Sequence, residues 1–333
     1  MHLHYLKVSK QKIKHLQYGT KKKFEEGGRD KVKKKPVSKE VKKRKFKENW
    51  EGYLYIMPWL LGFLLLTAWP MLYSLYLSFT DYNLFSAPKW VGLSNYIRML
   101  TKDITFKNSL LTTLRFVVLA VPAKLIFALF VATRLNKAVR GMSFYRTAIY
   151  LPSLLGGSVA VAVVWRNIFG VDGYINVILK ALGFEGVPFL TSTQYALPTL
   201  VLLNVWQFGS SMIIFLAGLK AIPNSLYEAA SIDGAGKVKS FFHITLPQLS
   251  SVLFFNLVYG IIGAFQQFNS AFLITKGGPA NSTYLYAMML YQKAFISFDM
   301  GYAAGMAWIL LLVIGTITGI LFLTSKFWVF YDN

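Results

Sequence analysis

The chain has 333 residues, of which 55% are hydrophobic and 16% aromatic, and its mean hydropathy is positive at +0.44. This composition excludes an ordinary soluble domain and favours a membrane protein. The net charge of +22 does not indicate nucleic-acid binding, because half of the 36 basic residues precede residue 50, next to the first apolar run. Cysteine is absent and only four histidines occur, so neither disulfides nor a Cys/His metal or catalytic site is expected.

The N-terminal segment 1–48 is rich in lysine and poor in apolar residues, which predicts a disordered tail or a loose surface helix that touches anionic lipid. A transmembrane domain is expected to occupy 49–333. By the positive-inside rule, the tail and the basic loops after the second and fourth apolar runs lie in the cytoplasm, so both termini are expected there. The basic residues between the first two runs oppose this orientation, but the tail outnumbers them.

Charge-free apolar runs recur along the chain at the length needed to cross a bilayer, which is about 20 residues. Residues 147–165 form a shorter run, and 116–133 would form another apart from Lys124. The sequence therefore predicts an all-α polytopic protein of the bacterial cytoplasmic (inner) membrane with about six transmembrane helices. The four long runs are 53–79, 195–219, 248–275 and 300–325.

The loop between the predicted spans 4 and 5, residues 221–247, has the pattern of two short helices. Ser225 and Glu228 have the spacing of a capping box, which predicts the start of a helix, and Asp233-Gly234 is expected to end it. A second, amphipathic helix is expected to follow, with Pro247 in the first turn of span 5. The two helices would project into the cytoplasm.

This loop resembles the EAA motif of permease subunits of binding-protein-dependent ABC importers. The resemblance implies the type I ABC importer permease fold, in which this loop is the coupling helix that docks in a groove of an ATPase subunit. In that role the two alanines would permit close helix approach and Gly234 would make the sharp turn. The matching positions are Glu228, Ala229, Ala230, Asp233, Gly234, Ala235, Ile244, Leu246 and Pro247.

The likeness covers almost all of 50–330 and narrows to the carbohydrate-uptake branch, which includes the maltose transporter permeases. It rests on segments such as 79–82, 91–96 and 275–279. The branch implies a second homologous permease, usually a different chain, two ATP-binding-cassette ATPases and an extracytoplasmic solute-binding protein. ATP and Mg²⁺ would bind the ATPases, and this chain would hold no cofactor, metal or catalytic residue. The chain has no Gly-x-x-x-x-Gly-Lys-Ser/Thr phosphate loop, which agrees with that division.

A channel for a sugar needs amides, hydroxyls and aromatic faces within otherwise apolar spans. Likeness to the maltose permease places several such residues of spans 4 and 5 near its sugar-contacting positions. The amides could equally hold spans together through hydrogen bonds. Lys124 could attract an anionic sugar such as a uronate, snorkel to the interface or make an ion pair. The predicted substrate path comprises Asn204, Gln207, Ser211, Phe265, Gln266, Gln267, Asn269 and Lys124.

The sequence thus predicts a channel-forming permease subunit of an ATP-driven importer that carries a sugar or oligosaccharide into the cell. A permease for amino acids or phosphate in the same superfamily is an open alternative, and so is a polytopic membrane enzyme. An enzyme would need acidic or His groups clustered at one membrane face, whereas the carboxylates outside the loop are scattered. A passive channel would leave the pattern of the loop unexplained.

Overall fold

The computed structural model describes residues 39–136 and 141–330. The predicted tail therefore lies mostly outside the described residues, although a helix already begins at Lys39, ahead of the predicted boundary. The chain divides into two compact units between Trp69 and Pro70. Apart from one two-stranded hairpin, the regular elements of the described residues are helical.

Helices of very different length follow one another in chain order. The first part contains α1 (Lys39–Phe63), a π-helical turn (Leu64–Ala68), α2 (Trp69–Ser78), β1 (Thr80–Asp81), β2 (Lys89–Trp90), α3 (Ser94–Ile97), a π-helical turn (Arg98–Lys102) and α4 (Ile104–Leu135). The middle contains α5 (Met142–Leu155), α6 (Val159–Phe169), α7 (Tyr174–Ala181), α8 (Ala196–Trp206), α9 (Gly209–Ala221) and α10 (Asn224–Ile232). The last part contains α11 (Lys237–Ser240), a π-helical turn (Phe241–Thr245), α12 (Leu246–Gln248), α13 (Ser250–Phe265), a π-helical turn (Ala271–Thr275), α14 (Tyr286–Tyr291), a π-helical turn (Gln292–Ile296) and α15 (Met300–Ser325).

Three helices are long and apolar enough to cross a membrane, namely Gly52–Ser78, Ile104–Leu135 and Met300–Ser325. Three helix pairs have sufficient length and hydropathy only when taken together, and each pair bends at a short break. If each pair is one span, the described residues contain six, which is the number that the sequence predicts. The bent pairs are Met142–Leu155 with Val159–Ala181 at 96°, Ala196–Trp206 with Gly209–Ala221 at 45°, and Lys237–Gln248 with Ser250–Phe265 at 66°.

The bends correct two of the predicted spans. The run 147–165 is not one straight helix, because it is broken at Gly156-Gly157, where glycine lowers the cost of leaving helical geometry. The run 248–275 contains a helix that ends at Phe265. Beyond it, the Gln267 amide donates to the Ser270 hydroxyl at 2.6 Å, so the polar residues here find partners outside the helix.

The core is centred on α4, which packs against α8, α9 and α13. Its buried side chains recur every three or four residues, as expected for one face of a helix. Phe116 and Ala120 are completely buried, and Val117 and Val121 nearly so. Small residues such as Ala128 continue the same face, which allows the neighbouring helices to approach closely.

A polar cap follows α2. The side-chain amide of Asn95 donates to the carbonyls of Ser78 at 3.0 Å and Thr80 at 2.9 Å, so it satisfies the end of the helix and the start of the hairpin. The Tyr96 hydroxyl donates to the Ser78 hydroxyl at 2.8 Å. A Cβ on Gly301 would lie 2.0 Å from the Thr80 carbonyl oxygen. Two of the segments that carry the family likeness, 79–82 and 91–96, thus build one structural cap.

Asp103 caps the start of α4. Its carboxylate accepts hydrogen bonds from the Phe106 backbone N–H at 3.0 Å and from the Tyr302 hydroxyl at 2.7 Å. Burial alone would raise the pKa of Asp103, but these hydrogen bonds and the charge of Lys293 outweigh it and lower the pKa. The cap therefore joins the beginning of α4 to that of α15.

Candidate functional site

A cavity of about 170 Å³ lies where α4, the pair α8–α9 and α13 meet. Its wall carries amides, hydroxyls and one ammonium group within otherwise apolar helices, and no carboxylate lines it among the residues the structure describes. Five of the predicted path residues reach this cavity. They are Lys124, Asn204, Gln207, Ser211 and Gln267.

The other three path residues lie elsewhere. Phe265 is completely buried in the hydrophobic core, where it has no access to the cavity. Gln266 and Asn269 are exposed and follow the end of α13. The structure therefore places the polar residues of predicted span 5 partly in the cavity wall and partly beyond the helix.

Two amides converge on the break between α5 and α6. The Gln207 side chain donates to the Gly156 carbonyl at 2.9 Å, and the Asn269 side chain donates to the Gly157 carbonyl at 3.4 Å. These carbonyls are free to accept because the helix breaks there. The pair Gly156-Gly157 belongs to this part of the site and was not predicted. Two adjacent glycines in an apolar run are a sequence signal for a break in a helix.

Lys124 lies on the buried face of α4. It is three residues beyond Val121 and four before Ala128, so it continues the buried stripe instead of pointing to the opposite side of the helix. Its side chain is half-buried and lines the cavity. No ion pair within the described residues includes Lys124.

Asn256 and Tyr259 of α13 also line the cavity, and neither was predicted. Asn256 is only 1% exposed, and its side-chain N–H donates to the Val252 carbonyl one turn earlier at 3.1 Å. Its Oδ1 atom has no hydrogen-bond partner in the described structure. Asn256 could have been found from the sequence, because it is a single amide in the middle of an apolar run.

The first helix of the loop, α10, begins at Asn224 directly after Pro223. The predicted capping box is wrong, because no side-chain hydrogen bond caps this helix and Ser225 already lies inside it. Pro223 has extended backbone angles (φ −61°, ψ 133°), so its fixed φ and missing N–H end the preceding segment and the helix starts two residues earlier than a cap at Ser225 predicts. Glu228 is exposed on this helix.

α10 ends at Ile232, directly before Asp233-Gly234, as the sequence predicts. Gly234 has a positive φ of 75°, and the Ala235 N–H donates back to the Ala230 carbonyl at 2.8 Å while the Gly234 N–H donates to Ser231 at 3.1 Å. This pair of bonds is a Schellman motif, which glycine permits at the left-handed position. It sets the direction in which Lys237–Gln248 leaves.

The second helical segment, Lys237–Gln248, contains Ile244, Leu246 and Pro247. The Tyr227 and Thr245 hydroxyls share a hydrogen bond of 2.9 Å, which joins the two parts of the loop. Pro247 lies in the first turn of α12, and the longer helix α13 begins at Ser250 after the bend. The apolar run predicted from residue 248 therefore begins at the bend, two residues before α13.

Part of the predicted apolar face of this segment is exposed in the described part of the chain. Val238 and Phe242 are 73% and 57% exposed, and Ile232 at the end of α10 is 87% exposed. Phe241 and Ile244 are partly buried. Exposed apolar side chains clustered on a structured loop are typical of a protein–protein contact.

Comparison with known proteins identifies the class. The family model of the binding-protein-dependent transport system inner membrane component matches residues 109–326. The chain belongs to this family, and it is therefore an ABC transporter permease subunit and not an enzyme.

Among its relatives is the probable ABC transporter permease protein YesP of Bacillus subtilis strain 168, which is 53% identical over 86% of this chain and 94% of its own length. Another is the probable starch degradation products transport system permease protein AmyD of Thermoanaerobacterium thermosulfurigenes, which is 32% identical over 86% of this chain and 98% of its own.

The fold also matches a solved structure. The crystal structure of a bacterial alginate ABC transporter, in complex with an alginate pentasaccharide-bound periplasmic protein, contains a chain that superposes with a TM-score of 0.73. It shares 20% sequence identity, and the match covers 85% of this chain and 96% of that one. The chain therefore has the ABC importer permease fold.

Proposed function

We propose that this chain forms half of a channel that takes a sugar or oligosaccharide from an extracytoplasmic solute-binding protein across the cytoplasmic membrane. The observation that carries the proposal is the cavity between α4, α8–α9 and α13, with its amides and hydroxyls. Polar groups within membrane spans are costly, so they commonly mark a substrate pathway. A relative named for starch degradation products and a structural neighbour from an alginate transporter support a saccharide.

A second, homologous permease would complete the channel, most simply as a heterodimer. The cavity of about 170 Å³ is smaller than typical ligand-binding pockets, whose volumes start at roughly 300 Å³, so it is only part of a binding site. Exposed polar residues that follow the end of α13, such as Gln266 and Asn269, would be covered by the second permease in such an assembly. In this assembly the chain crosses the membrane six times, with both termini and the tail 1–48 in the cytoplasm.

ATP and Mg²⁺ would bind two partner ATPases, and the loop 221–247 would transmit their movement. Three features support this role: the exposed apolar side chains, the Schellman turn at Gly234, and the Tyr227–Thr245 bond that holds the loop together. Because these contacts are internal to the loop, it can move as one lever when the ATPases close. The docking residues are then those of the EAA-like motif, from Glu228 to Pro247.

Co-expression with the neighbouring genes tests this proposal. The tagged chain should copurify with an ATPase and a second permease, and a saccharide should stimulate ATP hydrolysis by the complex. Glu228→Lys should abolish uptake while membrane insertion stays normal, because a positive charge would enter the contact with the ATPase. Glu185→Lys is the matched control, since Glu185 is equally exposed but lies outside the loop. A chain that purifies alone, or normal uptake by Glu228→Lys, would refute the assignment.

A further inference from the structure

We infer that this permease selects saccharides that carry an anionic group beside a hydroxyl. Lys124 contacts the anion, and the Asn256 side-chain oxygen accepts a hydrogen bond from the hydroxyl. The anion is a carboxylate, as in a uronic acid, or a phosphate, as in a sugar phosphate. The inference rests on the proposed function and names the substrate class of the same cavity. Four observations on the two residues carry it.

The first is the depth of Lys124 within its helix. The charged residues nearest to it in α4 are Arg115, nine residues before it, and Arg134, ten residues after it, so Lys124 lies in the middle of the apolar part of the helix. At 1.5 Å per residue, the nearer end of this apolar part is about 14 Å away. A lysine side chain does not extend that far, so snorkelling to the membrane interface does not explain its position.

The second is the direction and surroundings of the side chain. Lys124 continues the stripe of buried residues on α4 and lines the cavity, so it faces protein instead of lipid. Among the residues that the structure describes, no acidic side chain lines the cavity and no ion pair includes Lys124. An ion pair within this part of the chain is thereby disfavoured, and the positive charge is left for a visiting anion.

The third is the unsatisfied acceptor of Asn256. Its Oδ1 atom is buried and has no hydrogen-bond partner in the described structure, although buried polar atoms are nearly always hydrogen-bonded. The same residue lines the cavity, and its side-chain N–H already donates to the Val252 carbonyl. The oxygen therefore lacks a donor, which a sugar hydroxyl supplies once the Asn256 side chain turns its oxygen toward the cavity.

The fourth is the combination of the two within a small space. A ligand that satisfies both residues must accept from an ammonium and donate to an amide oxygen. A neutral sugar supplies the donor but leaves the ammonium without a counter-charge, whereas a simple anion lacks the hydroxyl. The part of the cavity that this chain forms, about 170 Å³, has room for one such unit of a longer chain. An acidic sugar unit meets both requirements.

The test uses the complete transporter with its binding protein in proteoliposomes, and measures uptake and stimulated ATPase activity. The probes are a uronic-acid disaccharide, its uncharged methyl ester and a sugar phosphate. The wild type should favour an acidic probe over the ester, and the acid that it favours identifies the anion. Lys124→Gln should lower this preference by about 10- to 100-fold, the range that one charge-assisted hydrogen bond supplies, while uptake of the ester is retained.

Two variants separate charge recognition from a structural role. Lys124→Arg should keep the preference for the acid, and so should Arg115→Gln, which removes a charge from an exposed position of the same helix. If Lys124→Gln fails to assemble, Asn256→Asp still tests the inference, because a carboxylate in the cavity should repel the acidic probes and spare the ester.

The inference fails if the wild type prefers the ester, or if Lys124→Gln lowers uptake of acid and ester equally. In either case the saccharide channel itself stands. If the assembled complex responds to no saccharide at all, both the proposed function and this inference are overturned.

Discussion

Replacing Gly156 by alanine tests whether the break between α5 and α6 is held by the Gln207 amide. Gly156 has helical backbone angles (φ −60°, ψ −22°), so alanine is allowed by the backbone. The added Cβ would lie 2.2 Å from Gln207 Cδ and 2.4 Å from its Cγ, which is closer than atoms can approach. Gln207 must therefore rotate away, and the 2.9 Å hydrogen bond to the Gly156 carbonyl is lost.

The expected cost follows from these contacts. Loss of the hydrogen bond costs about 0.5–1.5 kcal/mol, and a displaced rotamer costs about 0.5–1.5 kcal/mol more. Part of this is offset, because alanine reduces the freedom of the unfolded chain by about 0.4–1 kcal/mol. Gly156→Ala should therefore destabilise the protein by about 1–2 kcal/mol and lower uptake, since Gln207 also lines the cavity.

The neighbouring glycine supplies the control. A Cβ on Gly157 would meet no atom closer than the Asn269 side chain at 3.9 Å, so Gly157→Ala should leave thermal stability in detergent unchanged or slightly raised. A double-mutant cycle with Gln207→Ala then examines the cause. If Gly156 acts through Gln207, the two losses are not additive. Additive losses, or equal melting temperatures for Gly156→Ala and Gly157→Ala, would refute the reasoning.

Three further predictions concern stability and its pH dependence. Arg146→Met should lower the melting temperature, because it removes the guanidinium N–H that donates at 2.8 Å to the Leu135 carbonyl, which lies at the end of α4 and has no partner within the helix; an unchanged value would contradict this. Gly301→Ala should cost about 1–3 kcal/mol or more, since its Cβ would overlap a backbone carbonyl, whereas Gly315→Ala, which meets nothing within 4 Å, should not; equal melting temperatures would disprove the close approach. Because its folded-state pKa is lowered, Asp103 contributes stability that is complete above about pH 4 and is lost as the pH falls through the folded pKa. Melting curves should therefore show a weaker acid dependence for Asp103→Asn, and an identical dependence would oppose the cap.

The sequence alone was sufficient for the class of protein, and its count of six apolar runs equals the number of spans that results if each bent helix pair is one span. An apolar run of bilayer length is a local property, so counting runs succeeded even where the helix proved to be bent. The stop of α10 was equally local, because a left-handed residue after a helix favours glycine, here Gly234. The cost of a charge inside a span similarly drew attention to Lys124 before any neighbour was known.

The capping box failed although its rule is also local. Pro223 ends the preceding segment, so the helix begins before Ser225 and the expected cap has no terminus to bond. Two local signals competed at this position, and the spacing of Ser225 and Glu228 did not reveal which one prevails.

The site itself was decided by the tertiary structure. Gln207 bonds a carbonyl 51 residues earlier in the chain, and Asn269 bonds one 112 residues earlier. Hydropathy contains no information on which helix faces which, so the sequence placed Phe265 in the path although packing buries it in the core. It passed over Asn256 for the same reason, because only packing shows that this amide lies beside the cavity and that its oxygen has no hydrogen-bond partner in the described structure.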